Sequence, residues 1–101
     1  VRRNYPVKVT VNGIRVSRVV IDPHYEIRHR PSMNDELILE LVADLDQGDF
    51  LPDDVDEDGY QYFTYDTWIG GKSYRLVWLL PPEWDYIGVV NAYRRSHGRS
   101  K

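Results

Sequence analysis

Residues 24–30 read His24-Tyr25-Glu26-Ile27-Arg28-His29-Arg30. On a helix, His24 and Arg28 stand one turn apart and share a face. An imidazole titrates near neutrality and can move a proton. A guanidinium offers a rigid fork of N–H donors to the non-bridging oxygens of a phosphodiester. The pair is a workable phosphodiester site, with Arg30 as a further phosphate contact. The same residues also fit ordinary surface charges on a short helix, with Glu26 pairing Arg30, and both readings stand at this point.

A second basic constellation, Tyr93-Arg94-Arg95, stands at the end of the last expected strand. Cations at the end of a rigid strand can bind phosphate or stabilise the extra charge of a pentacovalent transition state. A phenol can position a phosphate, although an ordinary pKa near 10 makes it a reluctant base. If Leu80 pairs with Asp85, the register sets Lys72 opposite Tyr93 and brings a lysine to this cluster. The alternative is a solvated basic strand end. The two constellations act as one site only if the first helix packs against the end of the last strand.

The acidic residues invite a metal test. Asp54-x-Asp56-x-Asp58-Gly59 reproduces the opening of a calcium-binding EF-hand loop, yet the twelfth position, where a bidentate Glu is needed, is Tyr65. A solvated acidic loop is the better reading, weak cation binding is the alternative, and no metal is assigned to the candidate site. No cofactor motif is present, and Gly70-Gly71 reads as a hairpin turn, not a phosphate-binding loop.

Several elements must carry these residues. Val7 to Val11 and Ile14 to Ile21 flank Asn12-Gly13, a hairpin signal because both turn positions need positive φ. Asp22-Pro23 is an N-cap followed by proline at a first helical position, which predicts a short helix over 23–30 ending before Pro31. Ser32 offers a second N-cap. Leu37, Ile38, Leu41, Val42 and Leu45 recur at helical spacing, which predicts a core helix over about 33–46 that stops at Gly48. An acidic loop over 48–59 follows. Strands are expected over 60–69, 73–80 and 85–93, the last apolar on both faces and therefore central, with a mobile tail over 96–101. Most of the aromatic rings on this meander read as packing, although exposed ones could stack on bases. The fold class is α+β: an N-terminal β-hairpin, one or two helices on an antiparallel sheet, and a C-terminal three-stranded meander.

The chain has 101 residues, one domain by size, and 42% apolar residues, enough for a core without staples. It has no cysteine, which excludes disulfides and thiolate metal sites and favours a cytoplasmic protein; no segment has the layout of a signal peptide. The net charge of −3 conceals an asymmetry. Residues 44–58 hold eight carboxylates and no Lys or Arg, and the remainder is net basic.

The order of parts resembles the BrnT-like toxins and related small domains of the broad RelE-type ribonuclease superfamily. A His-x-x-x-Arg segment precedes Arg30-Pro31-Ser32 and an amphipathic helix. An acidic loop, a meander and Val89-Val90-Asn91-Ala92-Tyr93-Arg94-Arg95 follow, so the likeness spans residues 20–96. The resemblance implies the toxin component of a toxin–antitoxin system that cleaves RNA without metal and is held by a cognate antitoxin protein. His24, Arg28, Tyr93 and Arg94 would then be catalytic, and Arg30, Lys72 and Arg95 would bind RNA phosphates. The chain departs from that pattern in its acidic balance and in its N-terminal hairpin. A different class of function also fits: a non-catalytic, immunity- or antitoxin-like module using the acidic 44–58 loop against a basic partner.

Overall fold

A computed structural model of the chain describes residues 1–29 and 31–95. Strands β1 (Arg3–Val11) and β2 (Ile14–Ile21) form the expected hairpin. Asn12 and Gly13 take φ of 52° and 77°, the left-handed values that a two-residue turn of this kind demands. Asn12 also ties the turn to the rest of the fold. Its side-chain oxygen accepts the Phe50 N–H, and its own N–H donates to the Gly48 carbonyl. A 3-10 turn (Pro23–Tyr25) then runs into the single-turn helix α1 (Glu26–His29). Asp22 caps this segment by accepting the His24 N–H at 2.9 Å, as the Asp-Pro signal predicts.

Helix α2 spans Asp35–Ala43, shorter than the expected 33–46. Asn34, not Ser32, is its N-cap: the Asn34 side chain accepts the Leu37 N–H at 2.8 Å. Ser32 instead bonds back to the His29 carbonyl through its N–H, closing the turn after α1. The apolar stripe of α2 is as the sequence implies, with Ile38, Leu41 and Val42 buried and Leu45 buried in the turn that follows.

The acidic segment contributes a two-residue edge strand, β3 (Asp54–Val55), which the sequence did not suggest. Strands β4 (Gln61–Ile69), β5 (Lys72–Leu80) and β6 (Ile87–Arg94) make the expected meander. The whole is one six-stranded sheet of order β1-β2-β6-β5-β4-β3, so β6 is central as expected. It pairs antiparallel with β5 on one side and parallel with β2 on the other. That parallel contact joins the N-terminal hairpin to the meander.

Register within the meander departs from expectation. Tyr93 stands opposite Arg75, not Lys72, and Lys72 pairs with Ile69 beside the Gly70-Gly71 turn. Two causes act together. Pro81 to Tyr86 stay outside the ladder, with Trp84 at φ 58°, so the connection is longer than a pairing of Leu80 with Asp85 allows. A bulge then leaves Val90 without an opposite residue between the pairs Val77–Asn91 and Trp78–Val89. The bulge also shifts the side-chain alternation. Ile87, Val89 and Ala92 all turn to the helix-covered core, which strict alternation forbids.

Under α2 lies the core: Val11, Val16 and Ile21 from the hairpin, Phe63, Leu76 and Trp78 from the meander. Phe63 and Trp78 stack with ring centroids 4.1 Å apart, and Phe50 meets Trp78 edge-on. The other face of the sheet holds the side chains discussed next. Among the described residues no helix is long and apolar enough to cross a membrane.

Candidate functional site

Strand β2 pairs with β6 only from Ile87 to Val89, and the Asp22 N–H makes the last bond of that edge, to the Val89 carbonyl. Beyond it the chain leaves the ladder, and the turn and α1 run beside the remainder of β6. The His29 ring comes to rest 5.1 Å from the Tyr93 ring, tilted by 31°. The first helix does pack against the end of the last strand.

A carboxylate fixes that packing. Asp35, in the first turn of α2, accepts the Tyr25 hydroxyl at 2.7 Å, the Tyr5 hydroxyl, and both the Nε and Nη2 of Arg3. Arg3 also reaches Glu26 at 3.1 Å. The network ties the start of β1, the 3-10 turn and α2 to one point. The Arg3 guanidinium, aided by both phenols, holds the Asp35 carboxyl at about 2, below its ordinary 3.8, despite partial burial. Burial and the neighbouring carboxylate push the Tyr25 phenol up to about 12.

On the other side of Tyr93 stands Arg75, its cross-strand partner on β5. Arg75 grips Asp66 of β4 with two parallel bonds, Nε at 2.7 Å and Nη2 at 2.9 Å, and Arg95 adds a third at 3.0 Å. Asp66, and after it the Tyr93 phenol, raise the Arg75 pKa above its ordinary value, while the two arginines lower that of Asp66. The result is a strip across the open face of the sheet: imidazole, phenol, two guanidiniums, and one carboxylate that holds the guanidiniums in place. Its net charge is positive.

The residues singled out in the sequence are only partly gathered here. Tyr93 and Arg95 lie in the strip. Arg94 does not share their face, because adjacent strand residues point to opposite sides and Arg94 is paired with the buried Tyr74. His24 sits in the 3-10 turn and Arg28 in α1, both exposed; among the described residues neither side chain makes a hydrogen bond or ion pair. Lys72 is exposed at the β4–β5 turn. Arg30 lies outside the described residues, as does the expected mobile tail over 96–101. Sequence reasoning missed His29 and Arg75. His29 was visible as a second imidazole in the same segment. Arg75 needed the register, which the bulge at Val90 shifts.

The acidic stretch divides in two. Asp44 accepts the hydroxyls of Tyr65 at 2.6 Å and Thr67 at 2.9 Å. Asp46 accepts the Thr10 N–H. Asp56 accepts the N–H groups of Asp58 and Tyr60 and the Tyr62 hydroxyl, so the central carboxylate of the EF-like run serves its own loop. Asp49, Asp53, Glu57 and Asp58 are exposed. Compared with known proteins, the chain matches no family model, no curated sequence and no solved structure.

Proposed function

We propose that this chain cleaves RNA through the strip formed by His29, Tyr93, Arg75 and Arg95, as the toxin component of a toxin–antitoxin pair. The observation that carries the reading is the 5.1 Å approach of His29 to Tyr93, which joins the two basic segments at one place. The likeness in motif order to BrnT-like and RelE-type ribonucleases supports it, and extends it to a cognate antitoxin as partner and a cytoplasmic site of action.

In this reading the His29 imidazole takes the proton of a ribose 2′-hydroxyl. The 2′-oxygen attacks phosphorus, the bond to the 5′-oxygen breaks, and that oxygen leaves with a proton from the imidazolium or from water. The products are a 2′,3′-cyclic phosphate and a 5′-hydroxyl. Arg75 and Arg95 stabilise the charge on the non-bridging oxygens, and Tyr93 orients the phosphate. Trp68, exposed on the same face two residues beyond Asp66, offers a ring on which a base can stack. His24 and Arg28 would extend the track for the RNA backbone.

The test is incubation of purified protein with RNA in excess EDTA. Cleavage with cyclic-phosphate ends is expected, and His29→Ala should slow it by about a hundredfold or more. Unchanged cleavage and unchanged growth arrest in a His29→Ala, Arg75→Ala double variant would remove the site from consideration.

A further inference from the structure

A second feature occupies the opposite end of the same open face. It is a cleft of about 360 Å³. Its floor is a row of residues paired across three strands: Val20 of β2, Gly88 of β6 and Leu79 of β5. Gly88 makes that floor possible, because a Cβ at this position would stand 2.7 Å from Leu79 Cδ1. Three phenols, Tyr60, Tyr62 and Tyr86, line the cleft. Asp22, Asp56 and Asp58 contribute three carboxylates, which outnumber the guanidinium of Arg2 in the lining and that of Arg18 over the Tyr86 ring.

These walls select a chemistry. The excess of carboxylate repels phosphate and other anions. A purely apolar guest would use the floor but strip water from carboxylates without replacing it. A long cation meets both demands, with methylenes on Val20 and Leu79 and its charged head among phenol faces and carboxylates. A planar guanidinium fits better than an ammonium, since it is more weakly hydrated, stacks on rings and bonds carboxylates in a fork. The molecule already contains the motif in miniature: the Arg18 guanidinium lies 5.2 Å from the centroid of the Tyr86 ring. We propose that this cleft receives an arginine side chain presented by a basic segment of a partner protein. The exposed carboxylates of the 44–58 stretch, whose Asp56 and Asp58 line the cleft, would steer that segment toward it. The proposal does not depend on RNA cleavage.

Amide NMR titration of the whole chain with N-acetylarginine N-methylamide tests it. Saturable shifts are expected at Gly88, Tyr60 and Tyr62, with a Kd in the millimolar range, about that of a single side-chain contact. The neutral norleucine counterpart should bind about tenfold more weakly. Asp58→Asn, an exposed position whose side chain makes no hydrogen bond or ion pair among the described residues, should weaken arginine binding about threefold. Tyr60→Leu should weaken it further. An equal response to norleucine amide overturns the proposal, as does a response of the same amides to inorganic phosphate. So does wild-type affinity in Asp58→Asn, or the absence of saturable shifts at about 20 mM arginine amide.

Discussion

At the scale of single residues, Asp35 ties two other segments to α2, because it collects the Arg3 guanidinium and the Tyr5 phenol from β1 and the Tyr25 phenol from the 3-10 turn. Its pKa of about 2 against an ordinary 3.8 has a definite consequence for stability. A carboxyl depressed by folding stabilises the native state above its unfolded pKa and loses that contribution as pH falls through the folded one. Stability should therefore decline between about pH 4 and pH 2. Asp35→Asn should flatten this acid limb in urea unfolding followed across pH. The same change should cost about 2–3 kcal/mol at pH 7, the magnitude of hydrogen bonds to a charged group. Tyr25 acts in the opposite direction. Its phenol is raised from 10.0 to about 12, so its contribution is complete below pH 10 and disappears as pH rises toward 12. Tyr25→Phe should remove that alkaline loss in the same assay.

At the scale of elements, two local choices shape the fold around the strip and the cleft. The first is where α2 begins. Asn34→Ala should cost about 1 kcal/mol, as loss of an N-cap does, and Ser32→Ala should cost clearly less. Chemical denaturation of the two variants separates them, and equal losses would contradict the cap assignment. The second is the packing of the Leu79 side chain over Gly88. Gly88→Ala forces Leu79 aside and should destabilise the fold by about 1–3 kcal/mol, as overpacking does. The bulge at Val90 belongs to this scale too. It turns Ala92 into the core and thereby sets Tyr93 on the open face beside Arg75.

For the molecule as a whole, the consequence is a polarised sheet face. Tyr93 and Gly88 are separated along β6 by roughly 15 Å of strand rise, with guanidiniums at one end and carboxylates at the other. A nucleic acid and a basic protein segment could occupy that face without competing for the same charges. If RNA uses the basic end, Arg75→Ala with Arg95→Ala should weaken RNA binding at all sequences and reduce the salt slope by about two. Asp58→Asn, at the far end, should leave affinity and slope unchanged. Fluorescence anisotropy with a labelled RNA over a range of salt measures both, and equal effects at the two ends would argue against a divided face.

The sequence by itself determined the elements whose cause is local. Asn12-Gly13 and Gly70-Gly71 fixed two turns because few other residues adopt positive φ cheaply. Asp22-Pro23 marked a helical start because a side-chain acceptor and a preset φ act within a few residues. The spacing from Leu37 to Leu45 named the buried face of α2. The meander and the α+β class followed from those signals. What only the tertiary structure decided is everything that depends on register between distant segments. The parallel contact of β2 with β6 joins residues far apart in the chain and has no local signature. Lys72 could be set beside Tyr93 on paper because nothing local forbids it. The long Pro81–Tyr86 connection and the single unpaired Val90 brought Arg75 there instead. The same holds for His24 and His29: helical spacing tells that His24 and Arg28 share a face, whereas only packing sets the His29 ring against Tyr93. A bulge of one residue reverses the face of every side chain after it, and so the composition of the strip was settled in three dimensions.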